Sequence, residues 1–186
     1  MNIGFAVCGS FCTFNKIFPI MDELAKIHTI TPIFSTASST IDTRFGLAAA
    51  HLNRATEICG TVPLTTIEEV EPIGPKKLLD ALIIAPCTGN TLAKLAHSIA
   101  DGPVTMAAKS HLRNGRPVIV AVSTNDALSG AAENIGKLLA RKHYYFVPFG
   151  QDSAKQKPTS MVADFTQIPN TLEEALKFRQ IQPIII

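Results

Sequence analysis

Short apolar runs recur along the chain at residues 3–7, 29–34, 81–85, 117–122 and 144–149. Runs of this length, apolar on successive positions, fit strands covered on both faces. Between them the apolar period lengthens to that of a helix. Over 15–27 the apolar positions are Ile17, Met21, Leu24 and Ala25, and over 47–58 they are Leu47, Ala48, Leu52 and Ala55, one stripe on one face in each case. Residues 133–139 and 172–178 continue as helices, and 104–112 reads as a short one closed by the Asn114-Gly115 turn. Thr66 with Glu69 makes a capping box ahead of a short helix at 67–71. Buried strands alternating with amphipathic helices predict an α/β fold: a single three-layer domain over 1–186, Rossmann-like or flavodoxin-like, with a doubly wound parallel sheet. After the strand at 144–149, residues 150–170 read as a loop, with Lys155, Lys157, Thr159 and Ser160 placed to act as a lid or a carboxylate clamp, or as an ordinary connection.

The stretch at 81–102, ALIIAPCTGNTLAKLAHSIADG, is the most informative. Pro86 is expected to stop its strand. Cys87, Thr88, Gly89, Asn90 and Thr91 then form a polar elbow, and Leu92, Leu95, Ala96 and Ile99 follow at helical spacing. In an open parallel sheet ligands bind at the carboxyl ends of strands, where the amides opening the next helix carry partial positive charge. The elbow therefore points to an anionic or carbonyl-rich ligand. Gly9 and Ser10 end the first strand, where glycine admits close backbone approach and serine offers a hydroxyl and an amide to a phosphate; a plain turn satisfies the same residues. The second strand ends in Ser35, Thr36, Ala37, Ser38, Ser39 and Thr40, either a solvated loop with a helix cap or the facing wall of that phosphate site. Arg44 suits a phosphate, a carboxylate or a surface ion pair.

Composition narrows the function classes. The chain has 186 residues, 46% hydrophobic and 17% charged, with a net charge of +2 and no basic block. One core suffices, and neither nucleic acid nor an anionic membrane is indicated. The opening MNIGFAV has no basic lead and no run approaches a membrane span, which suggests a cytoplasmic protein. Cys8, Cys12, Cys59 and Cys87 lack Cys-x-x-Cys spacing, which argues against structural zinc and a disulfide framework. Cys87, in the elbow, is either a buried thiol or a reactive one. His51, His97 and His111 are candidates for proton transfer, none placed by a motif, so no catalytic residue is assigned.

PCTGNTLAKLAHSIAD resembles the P-x-[ST]-x-N-T-x-A-K-x-A-x-x-I-A-D signature of the homo-oligomeric flavin-containing cysteine decarboxylase superfamily. That resemblance implies FMN, its phosphate on Gly9, Ser10, Ser35 and Thr36, and its ring or ribityl chain on Pro86, Thr88, Asn90 and Thr91. Asn125 and Asn134 match asparagines of the family pattern, whereas Ser123 and Thr124 replace its Ala-Met pair; this implies a different substrate, met by Asn125 and Arg44. IDTRFG at 41–46 and PFGQDSAKQKPTSMVAD near the end are similar to one branch, the B subunits of dipicolinate synthase from spore-forming bacteria. Membership there implies a nicotinamide-binding A subunit as partner, a small dicarboxylate substrate, self-association, residence in the mother-cell cytoplasm, and conversion of a hydroxylated tetrahydrodipicolinate to pyridine-2,6-dicarboxylate. An FMN-dependent decarboxylase of cysteinyl peptides or phosphopantothenoylcysteine, or a non-catalytic structural role, are the alternatives.

Overall fold

The computed structural model describes all 186 residues. In chain order it contains β1 (Asn2–Val7), α1 (Phe14–Ala25), β2 (Thr29–Phe34), α2 (Thr36–Thr40), α3 (Ala48–Cys59), α4 (Ile67–Val70), β3 (Ala81–Cys87), α5 (Gly89–Ala96), α6 (Pro103–Leu112), β4 (Val118–Thr124), α7 (Ala132–Leu139), β5 (Tyr144–Phe146), β6 (Phe149–Ser153), β7 (Lys157–Ala163) and α8 (Ile168–Leu176). The sheet runs β2-β1-β3-β4-β7-β6, with β5 also on β4. Strands β2, β1, β3, β4 and β5 are parallel. Helices α1 and α8 cover one face and α4 to α7 the other, which gives the expected three layers. Because both faces are covered, every residue of β3 is buried and its apolar run shows no alternation. The strand order reverses between β1 and β3, so the crevice at their carboxyl ends is the topological switch point where this fold class takes its ligands.

Four local readings change. Pro86 does not stop its strand, which continues to Cys87. Pairing with β4 goes from Ile84↔Val120 to Cys87↔Val122, so one extra residue on β3 is taken up as a bulge where Pro86 has no amide to give. The Ala85–Pro86 peptide is cis. The helix after the elbow ends at Ala96, so Ile99 lies beyond it and is 47% exposed. Residues 35–40, expected as loop or cap, form α2, with Ser35 as its N-cap accepting from the Ser38 amide.

The fourth change is the largest. Residues 144–149 are two strands rather than one, and the segment read as a lid or clamp loop at 150–170 is mostly the hairpin β6–β7 followed by the start of α8. The outer edge of β4 is shared: its first half pairs with β5, and at Ser123 and Thr124 it pairs antiparallel with Val162 and Met161 of β7. A lone hairpin is marginal in water; continuing the main sheet gives this one its partner. At the opposite edge, β2 carries Pro32 at its centre, and Leu64 bonds alongside it through the Phe34 amide and the Pro32 carbonyl. The chain's last residues do the same for β6, where Phe149 bonds Ile184 and Ile186. No helix is long and apolar enough to cross a membrane.

Candidate functional site

Two adjoining cavities open at the carboxyl ends of β1, β3 and β4, sharing Gly9 and Thr88 as their common wall. The first is a crevice of about 370 Å³ between the ends of β1, β2 and β3, lined among others by Ser35, Thr36, Asn90, Thr91, Lys94 and Thr105. Its walls are the first turns of helices. Thr88 caps α5, its Oγ1 accepting from the Thr91 amide at 3.3 Å. The amides of Gly89 and Asn90, in that first turn, have no intrahelical acceptor and carry the positive end of the helix dipole. Across the crevice, Ser35 Oγ meets Ser38 Oγ at 2.9 Å, and Ser38 donates to the Val7 carbonyl at 2.8 Å, which fastens α2 to the end of β1. Lys94 reaches the rim but is paired with Asp101 at 2.9 Å. Thr36 and Asn90 remain exposed.

The second cavity, about 470 Å³, lies at the ends of β1 and β4 beneath the hairpin, and its lining includes Ser10, Lys16, Ser123, Asn125, Lys157 and Ser160. Ser10 Oγ and Ser123 Oγ are 2.8 Å apart, tying the first loop to β4. Thr124 Oγ1 donates to Asp126 Oδ1 at 2.5 Å. Both groups lie against the elbow: a Cβ on Gly89 would stand 2.7 Å from Thr124 Oγ1 and 2.8 Å from Asp126 Oδ1. Thr159 Oγ1 on β7 donates to the Asn125 carbonyl at 2.7 Å and holds the hairpin over the end of β4. Lys157 is paired with Asp152 at 2.7 Å.

Of the residues marked from sequence, Gly9, Ser35, Thr36, Thr88, Asn90 and Thr91 come together in the first cavity, and Gly9, Ser10, Thr88 and Asn125 in the second. Ser10 lines only the second and so does not face Ser35 across the crevice. Pro86 is buried inside β3 and lines neither. Arg44 lies outside both, with its guanidinium carbon 4.9 Å from the centre of the Phe45 ring. Lys16, Lys94 and Thr105 join the walls without having stood out in the sequence. Lys16 sits on α1 and Thr105 on α6, and single polar residues on amphipathic helices give no sequence signal of where they face.

Two of the thiols are sealed off. Cys8 and Cys87 are buried, and burial pushes Cys8 up to about 11 and Cys87 well above the usual thiol range. The histidines separate as clearly. His97 is exposed at the end of α5. His111 is fully buried, its Nε2 3.1 Å from the Pro117 carbonyl at the opposite end of β4, and burial pushes it down to about 4. His51 alone lies near the open ends of the strands, in a recess beside the second cavity. No three His, Cys, Asp or Glu side chains converge as a metal site. A larger cavity of about 790 Å³ beside α1 and β6 includes Pro19, Gly150, Phe165 and Ile186 in its lining and does not reach the elbow.

Residues 1–171 match the Flavoprotein family. The chain is 42% identical over 186 residues to the dipicolinate synthase B subunit of Bacillus subtilis (strain 168), covering all of this chain and 93% of that one. The crystal structure of the dipicolinate synthase B subunit from Bacillus halodurans C superposes with a TM-score of 0.91 at 42% identity, over 100% of this chain and 95% of that one. Burkholderia xenovorans DmrB in complex with FMN has a TM-score of 0.69 at 18% identity, with 95% of each chain covered, a likeness of fold.

Proposed function

The chain belongs to the Flavoprotein family, and on that premise we propose that it is the B subunit of a dipicolinate synthase that holds FMN in the crevice at the β1/β3 switch point. The carrying observation is the crevice's polar lining: the starts of three helices, α2, α5 and α6, exposed Thr36 and Asn90, and the Lys94–Asp101 pair, around a wall made by Gly9. That set fits a phosphate and a polyhydroxyl chain, because amides at helix N-termini favour an anion and hydroxyls match hydroxyls. When bound, FMN supplies the two-electron acceptor that aromatisation to a pyridine ring requires and that ordinary side chains cannot provide.

The chain's own residues do the placing. The helix starts at Thr36 and Gly89 orient the phosphate, Asn90 and Thr91 meet the ribityl chain or ring, and Asn125 faces the substrate in the adjoining cavity. The hairpin excludes water from that cavity, with the Lys157–Asp152 pair at its mouth. The substrate is a small dicarboxylate, and a nicotinamide-binding A subunit is the partner. Self-association and residence in the cytoplasm of a sporulating cell are part of this reading, supported by identity over the whole chain to a Bacillus subtilis homologue of that name. The cysteinyl decarboxylase alternative draws only on neighbours alike in fold, and Ser123 and Thr124 stand where that chemistry's pattern has Ala-Met.

Titration of the purified chain with FMN, followed by quenching of flavin fluorescence with and without the A subunit, tests this. Saturable binding is expected, weakened by Asn90→Ala. Binding unchanged in Asn90→Ala sinks the residue assignment, and no binding under either condition sinks the flavin reading.

A further inference from the structure

A cavity of about 430 Å³ lies against α5 and α6, on the face of the sheet that α4 to α7 cover. Leu95 at the end of α5, Ile99 just beyond it and Leu112 at the end of α6 give it apolar walls, and Tyr144 lines it from the sheet. Tyr144 opens β5 and pairs with Val118, the first residue of β4, so that wall stands at the amino ends of the strands. Thr105 is the one residue this cavity has in common with the first crevice, and it has none in common with the second cavity. A ligand here sits apart from both.

Its charge is one-sided. Lys109 of α6 and Arg141 and Lys142 from the turn between α7 and β5 belong to the lining, and no Asp or Glu does. The first crevice pairs its Lys94 with Asp101 and the second cavity its Lys157 with Asp152, whereas none of these three cations enters an ion pair of the fold. Arg141 is also held in place: its guanidinium donates to the Leu95 and Ala96 carbonyls at 3.0 and 2.6 Å. Those carbonyls end α5, where a cation meets the negative end of the helix dipole. The remaining N–H groups of the guanidinium stay free for a ligand.

Tyr144 adds a second kind of donor. The residue is 9% exposed, and its hydroxyl bonds no other group of the protein. The side-chain atoms sealed from solvent without a partner are His51 Nε2, His111 Nδ1 and His143 Nδ1, and the Tyr144 oxygen is not among them. It therefore keeps some surface, and the space that Tyr144 borders is this cavity. Burial pushes the phenol up to about 12, so it holds its proton and donates. An unpartnered donor in a nearly buried side chain, beside cations that lack a counter-charge, suits an anion.

We infer that this cavity is a second ligand site, for a small aromatic carboxylate whose rings lie against Leu95, Ile99 and Leu112 and whose carboxylate sits among Lys109, Arg141, Lys142 and the Tyr144 hydroxyl. At about 430 Å³ it stands near the small end of the roughly 300–1,000 Å³ of ligand pockets, which suits one or two fused rings. The inference goes beyond the flavin reading and does not rest on it.

The test is calorimetric titration of the full chain with naphthalene-1-carboxylate and with its neutral counterpart, naphthalene-1-carboxamide, each with and without excess FMN. Saturable binding of the carboxylate is expected, with the amide about tenfold weaker and FMN without effect. Lys109 and Lys142 are exposed, so Lys109→Ala and Lys142→Ala leave the core untouched. Each is expected to weaken the carboxylate about fivefold and to leave the amide as it was. Tyr144→Phe keeps the ring and removes the hydroxyl, with a loss of about threefold expected. Arg141 stays in place because it holds the end of α5. Equal affinity for carboxylate and amide overturns the site, as does a carboxylate affinity unchanged by all of these substitutions. Displacement of the carboxylate by FMN, or no carboxylate binding at all, overturns it too.

Discussion

The two cavities at the strand ends are built by different means. The crevice on the β1–β2–β3 side is made of backbone: helix starts, caps and a glycine wall, each fixed by residues close in sequence. The cavity and recess on the β4 side are made of side chains brought from afar, from α1, the turn at 43–46, α3 and the hairpin. A site of the first kind is oriented before any ligand arrives. A site of the second kind changes with single side chains.

Gly89→Ala is the strongest way to break this division, because Gly89 is where the two sides touch. The added methyl, 2.7 Å from Thr124 Oγ1, is expected to cost about 1–3 kcal/mol in urea unfolding and to weaken FMN about hundredfold in the fluorescence titration. An unchanged FMN affinity there shows the two cavities to be independent. Lys157→Ala sharpens the contrast from the other side: activity of the mixed complex falls about tenfold while FMN binding stays as it was. Thr88→Ala removes the cap of α5 and lowers stability by about 1 kcal/mol, read as a shift in the urea midpoint, with a matching loss of FMN affinity.

The smallest effect is on the thiols between the cavities. Cys8 and Cys87 are expected to resist iodoacetamide in the native chain at neutral pH, with Cys12, which is exposed, modified first by mass spectrometry. Because burial raises Cys8 from 9.0 to about 11, the unfolded chain loses that proton first. The stability it contributes is complete below about pH 9 and is lost as pH rises through about 11, seen as a falling thermal midpoint over that window.

The same division explains what was legible in the amino-acid order. Strands and helices declared themselves through their periods, and the elbow at 87–91 through a cluster of cap and turn residues that acts locally. Pro86 misled because its missing amide falls at a bulge, which no local rule announces. The hairpin read as a loop because its tip, residues 151–158, is exposed but for Ser153, and the half-polar stretch QDSAKQKPT carries no apolar period. His51 had no motif. Its position depends on α3 packing against α1 and on a glycine at 46, contacts that become visible only when Phe14, Phe18 and the turn are placed together.

The way the sheet ends has a consequence for the protein at high concentration. Pro32 offers no donor at the centre of β2, Leu64 occupies the bonds beside it, and Ile184 to Ile186 occupy those of Phe149 in β6. An open strand edge is a template on which another chain can continue the sheet and start an aggregate. Here the chain itself takes up bonds at both margins, beside Pro32 and at Phe149, which shortens the template on which a second chain could continue the sheet.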